Sequence, residues 1–384
     1  MTAVDPTYPF YPIASFLSAV LLSLIVFSGL VLQRWNLNLG VAFLCFWLFF
    51  ENLANAIMTI VWADNADIKL YVLCDIVSHL QIITSVVKPM STFIITRRLY
   101  LVTGLPSVQT PDRAMRLRNL AIEWTLGLVI PVLIAGPFYY IVQQLRFKVA
   151  EGFGCNNASD GSILAIMLLN SWSVIPPLIS VVFYYPRVAR FFWDQSMDNG
   201  RFRQNDQSSA RTGHLRLLVL ASIDLLLTLP FGIVSIVLIV TEVLSQGPLP
   251  FYFGWTYDHT NWEPEGFSYA DIVATGTSGI AQQYFSEWTS PVLSFAIFAL
   301  FGTTSEARAS YRGAICTVGS WFGWRSTPRT HTARPTQDTF EFGERPQEMS
   351  CDYDFSRSHP VSASRGPLEA ELSGARTQEP KENV

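Results

Sequence analysis

Seven apolar stretches of helical length occupy residues 11 to 302, and arginine collects in alternate connections between them. A bilayer core takes about 20 apolar residues per spanning helix. The pattern predicts an all-α fold, a seven-transmembrane helix bundle, with spans at about Tyr11–Leu32, Leu39–Trp62, Leu70–Thr96, Leu120–Val142, Ser162–Tyr185, Leu215–Val240 and Ser278–Phe301. The third is the least hydrophobic of the seven. An odd number of passes puts the two ends of the chain on opposite faces of the membrane.

The basic residues orient the bundle. Connections after the first, third and fifth stretches hold Arg34, then Arg97, Arg98, Arg113, Arg116 and Arg118, then Arg187, Arg190, Arg201, Arg203 and Arg211. The opposite side holds Lys69, Arg146 and Lys148, and ten more basic residues follow Gly302. Cytoplasmic loops carry the Lys and Arg excess, so the amino terminus is expected outside and the carboxyl tail in the cytoplasm. Asn157-Ala-Ser159 is a glycosylation acceptor triplet, and this topology puts it in the second outside loop.

Composition excludes several classes. Half the residues are hydrophobic and 15% charged, with mean hydropathy +0.28, too apolar for an ordinary soluble domain of 384 residues. A net charge of −4 argues against a nucleic-acid partner. The first ten residues lack Lys and Arg, and the first apolar run is too long for a cleavable leader. Five cysteines form neither a disulfide framework nor a metal-ligand pattern. The five histidines, His79, His214, His259, His331 and His359, are scattered, so no enzyme, cofactor or metal is expected. The segments read as a short outside terminus over 1–10, a membrane domain over 11–302, a juxtamembrane amphipathic segment over 303–324 and a disordered cytoplasmic tail over 325–384. Cys316 is either a palmitoylation site or a plain reduced thiol.

Several strings, in order and spacing, resemble the fungal mating-pheromone receptors of the yeast a-factor receptor type. They are YPFYPIASFLSAVLL (Tyr8–Leu22), IVWADN (Ile60–Asn65), CDIVSHLQ (Cys74–Gln81), RRLY (Arg97–Tyr100), GCNNAS around Cys155, the Pro176–Pro177 pair, HLRLLVLASID (His214–Asp224) and WTSPVLSFAIFALFGTTSEARASYR (Trp288–Arg312). The resemblance covers about residues 8–312. Lys88 departs from it, standing where a small or apolar residue is expected, and His214 replaces an expected tyrosine. What the resemblance implies is a plasma-membrane G-protein-coupled receptor. It would bind a prenylated (farnesylated) peptide pheromone and activate a heterotrimeric G protein. A receptor-like paralogue without pheromone activity and a small multi-helix transporter are the alternatives, although no repeat between the halves supports a transporter. A retinal protein is excluded, because no lysine lies between Ser278 and Phe301.

Candidate mechanism residues follow from placement. Cys74 and Cys155 both face the oxidising side, so a disulfide is feasible, and two free thiols are the alternative. Lys88 and Asp224 each lie nine residues, about 13 Å, from the inner end of a helix. Ionisable residues inside spans are costly; these two either pair as a latch or take separate partners such as Glu51 and Glu287. Pro230 is a hinge candidate in the sixth span. The long third outside loop offers Trp255, Tyr257, Asp258, Trp262 and Glu263 to a lipidated peptide, or else forms an interfacial aromatic belt. Arg97, Arg98, Arg187 and Arg216 surround the expected coupling surface, where arginines also bind anionic membrane lipids.

Overall fold

The computed structural model describes residues 4–31, 38–104, 113–198, 207–304, 307–309 and 311. Six helices in it are long and apolar enough to cross a membrane. They are α1 (Phe10–Val31), α2 (Leu39–Val61), α3 (Tyr71–Gly104), α4 (Arg113–Ile141), and, later in the chain, α8 (Gln207–Gln246) and α11 (Thr277–Ile297). The apolar runs set their existence, and polar residues at the ends lengthen two of them beyond the apolar segment. Helix α3 runs on through Arg97 and Arg98 to Gly104, and α8 begins at Gln207.

The fifth apolar stretch does not form one helix. It breaks into α5 (Ile163–Leu168), a 3-10 turn (Asn170–Ser173), α6 (Ile175–Ile179), a π-type turn (Ser180–Tyr184) and α7 (Tyr185–Asp198). Pro176, Pro177 and Pro186 each lack the N–H that a helix needs four residues on. Side chains bond carbonyls just ahead of the prolines, where the helix breaks. Ser171 Oγ, Trp172 Nε1 and Ser173 Oγ donate to the carbonyls of Met167, Leu168 and Asn170 at 2.6, 2.9 and 2.6 Å. Irregular backbone is tolerated at membrane depth where protein groups satisfy it in this way. Proline has the same effect in α4, where the π-type turn Thr125–Val129 ends two residues before Pro131 and the turn Ile134–Phe138 contains Pro137.

Apolar side chains pack in three regions. At the arginine-bearing end, Leu22, Leu44, Leu48, Ile95, Leu99, Leu220, Leu293 and Ile297 are almost wholly buried. Ile82, Val86, Met90, Ile134 and Tyr139 join α3 to α4. At the other end Met58, Trp62, Val77, Phe147 and Val149 surround Cys74 and Cys155.

That second end carries a small sheet, a departure from the all-α expectation. Strands β1 (Lys148–Ala150) and β2 (Gly154–Asn156) pair antiparallel, and β3 (Glu265–Phe267) adds parallel to β1, giving the order β2-β1-β3. Three-residue strands are too short to leave a readable alternation. Their pairing comes from the close approach of two loops. Gly154 has φ +85°, and a Cβ there would lie 2.6 Å from Met58 Cβ, so only glycine fits. Beside the sheet, α9 (Trp255–Thr260) and α10 (Tyr269–Ala274) form within the loop that the sequence left unstructured. Ser268 and Asp271 start α10 with a reciprocal capping box.

Candidate functional site

A cavity of about 290 Å³ lies inside the bundle below this cap. Its walls come from α2, α3, α8, α11 and the broken fifth segment, and Asn156 and Asn157 at the end of β2 reach over it. The roof is fastened to α3. Cys74 and Cys155 form a disulfide, with Cα atoms 5.3 Å apart. Gln81, seven residues from Cys74 on the same face of α3, uses both ends of its amide on the same loop. Its Nε2 donates to Cys155 O at 3.0 Å, and its Oε1 accepts from Asn157 N at 3.0 Å. Arg146 adds a two-pronged bond to Asp75, at 2.9 and 2.5 Å.

The floor is polar. Lys88 Nζ donates to Glu51 Oε1 at 2.9 Å and to Ser290 Oγ at 2.7 Å, linking α3 to α2 and α11. Below it, Asn52 Nδ2 donates to Ser294 Oγ at 3.0 Å. On the α11 wall, Glu287 accepts from the Tyr11 hydroxyl and, at 3.1 Å, from Gln283 Nε2.

Of the two arrangements open to Lys88 and Asp224, a mutual latch or separate partners, the structure has separate partners. Lys88 turns to Glu51, while Asp224 accepts from the Thr92 hydroxyl one helical turn along α3. Lys88 and Thr92 share one face of α3, so Asp224 meets that face about one turn further along the helix than Lys88, and the equal depth read from residue number does not hold. Pro230 lies inside an uninterrupted α8, and its neighbour Phe231 stacks on Phe285 of α11 at 5.0 Å. Asn157 points inward, its Nδ2 donating to Gln81 Oε1 at 3.3 Å, so a sugar there would displace that bond and lie across the cavity.

The third-loop candidates separate into two groups. Trp255 and Tyr257 are exposed, as is Glu263. Trp255, His259 and Trp262 stack with centroids 4.0 and 5.2 Å apart, and the Tyr140 ring of α4 meets His259 edge-on at 4.8 Å. Asp258, in contrast, is fully buried beside Asp160 and Tyr252 and is not offered to solvent. Burial raises both carboxyls above the usual range, Asp160 to about 6.

At the opposite end, the arginines are engaged within the bundle. Arg97 Nη2 donates to Asn119 Oδ1 at 2.7 Å, Arg98 pairs with Glu123 at 3.3 Å, and Arg187 donates to the Tyr100 hydroxyl at 3.0 Å. Arg216 is half-buried at the same end. Cys316, with the segment from 312 onward, lies outside the described residues. Reading the sequence missed Gln81, Ser290 and Thr92, because uncharged polar residues inside apolar runs give no signal until their partners are known.

These features define a multi-pass membrane protein whose helical bundle encloses a polar cavity under a disulfide-tied cap. The chain belongs to the pheromone A receptor family, whose model matches residues 10–319. Relatives include the pheromone B alpha 3 receptor of Schizophyllum commune, 28% identical over 81% of this chain and 48% of that protein. Pheromone receptor 1 of Ustilago hordei is 27% identical over 72% of this chain and 76% of its own length. The pheromone a factor receptor of Saccharomyces cerevisiae is 23% identical over 71% of this chain and 55% of its own. The chain thus spans about half the length of the Schizophyllum relative. The family is one of receptors, not enzymes.

Proposed function

We propose that this chain is a plasma-membrane receptor with seven passes, amino terminus outside, that binds a prenylated peptide pheromone and activates a heterotrimeric G protein. On this reading the broken segment over 163–198, between α4 and α8, supplies the pass that is added to the six long helices. The observation that carries the reading is the polar cavity beneath a cross-linked cap in a member of this family. A cap tied at Cys74 and Gln81 leaves the α9 side, with exposed Trp255 and Tyr257, as the face that meets ligand. Arg97, Arg98 and Arg187 hold α3 to α4 and α7 at the other end. Opening that end to a G protein therefore requires at least the Arg98–Glu123 and Arg187–Tyr100 contacts to break.

The test is expression in fungal cells lacking their own pheromone receptor, with a host-matched Gα and a mating-pathway reporter. Cells receive a panel of prenylated peptides and the same peptides without the lipid. A dose-dependent response that requires the prenyl group is the expected result. Equal responses to both forms would overturn the lipid requirement. Silence across the panel at verified surface expression would count against the receptor reading.

A further inference from the structure

The cavity is lined by twenty-three residues, of which seventeen carry polar or charged side chains. At about 290 Å³ it falls at the small end of ligand pockets and has room for roughly ten waters. A farnesyl chain gains nothing from such walls, since burying it there would strip hydration from amides and carboxyls without replacing the lost hydrogen bonds.

Its charges are unequal. Two carboxyls, Glu51 and Glu287, line the cavity with one ammonium, Lys88. Lys88 is committed to Glu51 Oε1 and Ser290 Oγ. Glu51 Oε2 lacks a hydrogen-bond partner among the described residues, although Glu51 is more than nine-tenths buried. Glu287 has two neutral donors, Tyr11 and Gln283, and no cationic partner among the described residues. An ionised carboxyl inside a membrane bundle without a counter-charge is costly, so it takes up a proton unless a cation meets it, and a ligand cation would supply that charge.

Resting on the reading of the chain as a pheromone receptor, we propose that this cavity is the subsite for a cationic, unlipidated part of the peptide. That group is an amino terminus or a Lys or Arg side chain, held by Glu287 with the free oxygen of Glu51 beneath it. The prenyl group binds elsewhere. The subsite separates peptides by the charge they carry away from their lipid.

The experiment has two arms. In the first, the full chain in nanodiscs carries Ser85→Cys or Ser286→Cys, one on α3 and one on α11, both lining the cavity and both exposed. Each is modified with a trimethylammonium-bearing and a sulfonate-bearing methanethiosulfonate. The parent chain gives the background; it carries Cys45, which is buried, and Cys316 and Cys351 in the tail, which are replaced by serine in all variants compared. The cationic reagent is expected to react at least tenfold faster relative to its rate on a free thiol, and Glu287→Gln is expected to remove most of that preference. An equal or faster rate for the anionic reagent at both positions overturns the proposal. In the second arm, reporter cells receive active pheromones whose amine or basic side chains have been neutralised. The expected result is a rise in EC50 of at least tenfold that shrinks in Glu287→Gln; an unchanged EC50 overturns the proposal and leaves the receptor reading standing. Cation preference in the first arm with no response to any prenylated peptide has the opposite meaning: the cation site stands and the pheromone reading fails.

Discussion

Lys88 is the polar tie of the interior, because its ammonium joins three helices through Glu51 and Ser290. Removing one partner of a buried pair leaves the other charge uncompensated, which costs about 3–5 kcal/mol, whereas a neutral pair of similar volume costs far less. Lys88→Met or Glu51→Leu alone should therefore lower the thermal midpoint of the purified protein markedly, and the double variant should recover most of the loss. Equal stability of wild type and both single variants would show that the pair contributes little. Charge reversal of Lys88 together with Asp224 should give no rescue, since Asp224 bonds Thr92 instead. The sequence made Lys88 conspicuous as a charge in an apolar run. It did not select Glu51 over Asp224, because residue number gives position along one helix but not how far a packed neighbour is displaced along its axis.

Among the elements, the two loops of the cap are held by a disulfide and side-chain hydrogen bonds in addition to the buried Phe147 and Val149. The disulfide closes a separation of 81 residues, and cross-links of this kind typically contribute about 2–4 kcal/mol. Cys74→Ser is expected to lose stability on that scale and to speed amide exchange in β1 and β2, measured by deuterium uptake. Asp160 and Asp258 give the cap a pH dependence. Burial raises the Asp160 carboxyl from its ordinary value of 3.8 to about 6, so the folded cap holds this proton more tightly than the unfolded chain does. The corresponding stability is fully present below about 3.8 and is lost as pH rises through about 6. Asp258 shifts in the same direction. Deuterium uptake at residues 160–164 and 250–258, corrected for intrinsic exchange, should rise between pH 4 and pH 7, and Asp160→Asn should flatten the change. A flat profile in the unmodified chain would show that the carboxyl is not held in this way. Nothing in the sequence announced these elements: β1, β2 and β3 have three residues each and acquire their partners only across the two loops.

For the whole molecule, the number of passes decides which face each end occupies. Six crossings would put both ends on one side, and seven put them on opposite sides. Epitope tags at the amino terminus and after Gly302 should therefore differ in accessibility on intact cells, the first stained without permeabilisation and the second only after it. Staining of both, or of neither, before permeabilisation would mean that the broken segment from Ile163 to Asp198 turns back within the bundle.

Hydropathy by itself determined that this is a multi-pass helical protein. Apolar run length is a local property, and a bilayer imposes the same length on every crossing helix. Arginine placement marked one end of the bundle, and ordered strings such as CDIVSHLQ pointed to the family. Only the tertiary structure decided that the fifth stretch is broken, that Gln81 clamps the cap, that Asp258 is buried, and that Lys88 takes Glu51 while Glu287 faces the cavity with no cation among the described residues. Each of those depends on which faces of distant helices and loops meet, and the energy that selects them exists only once the segments are packed.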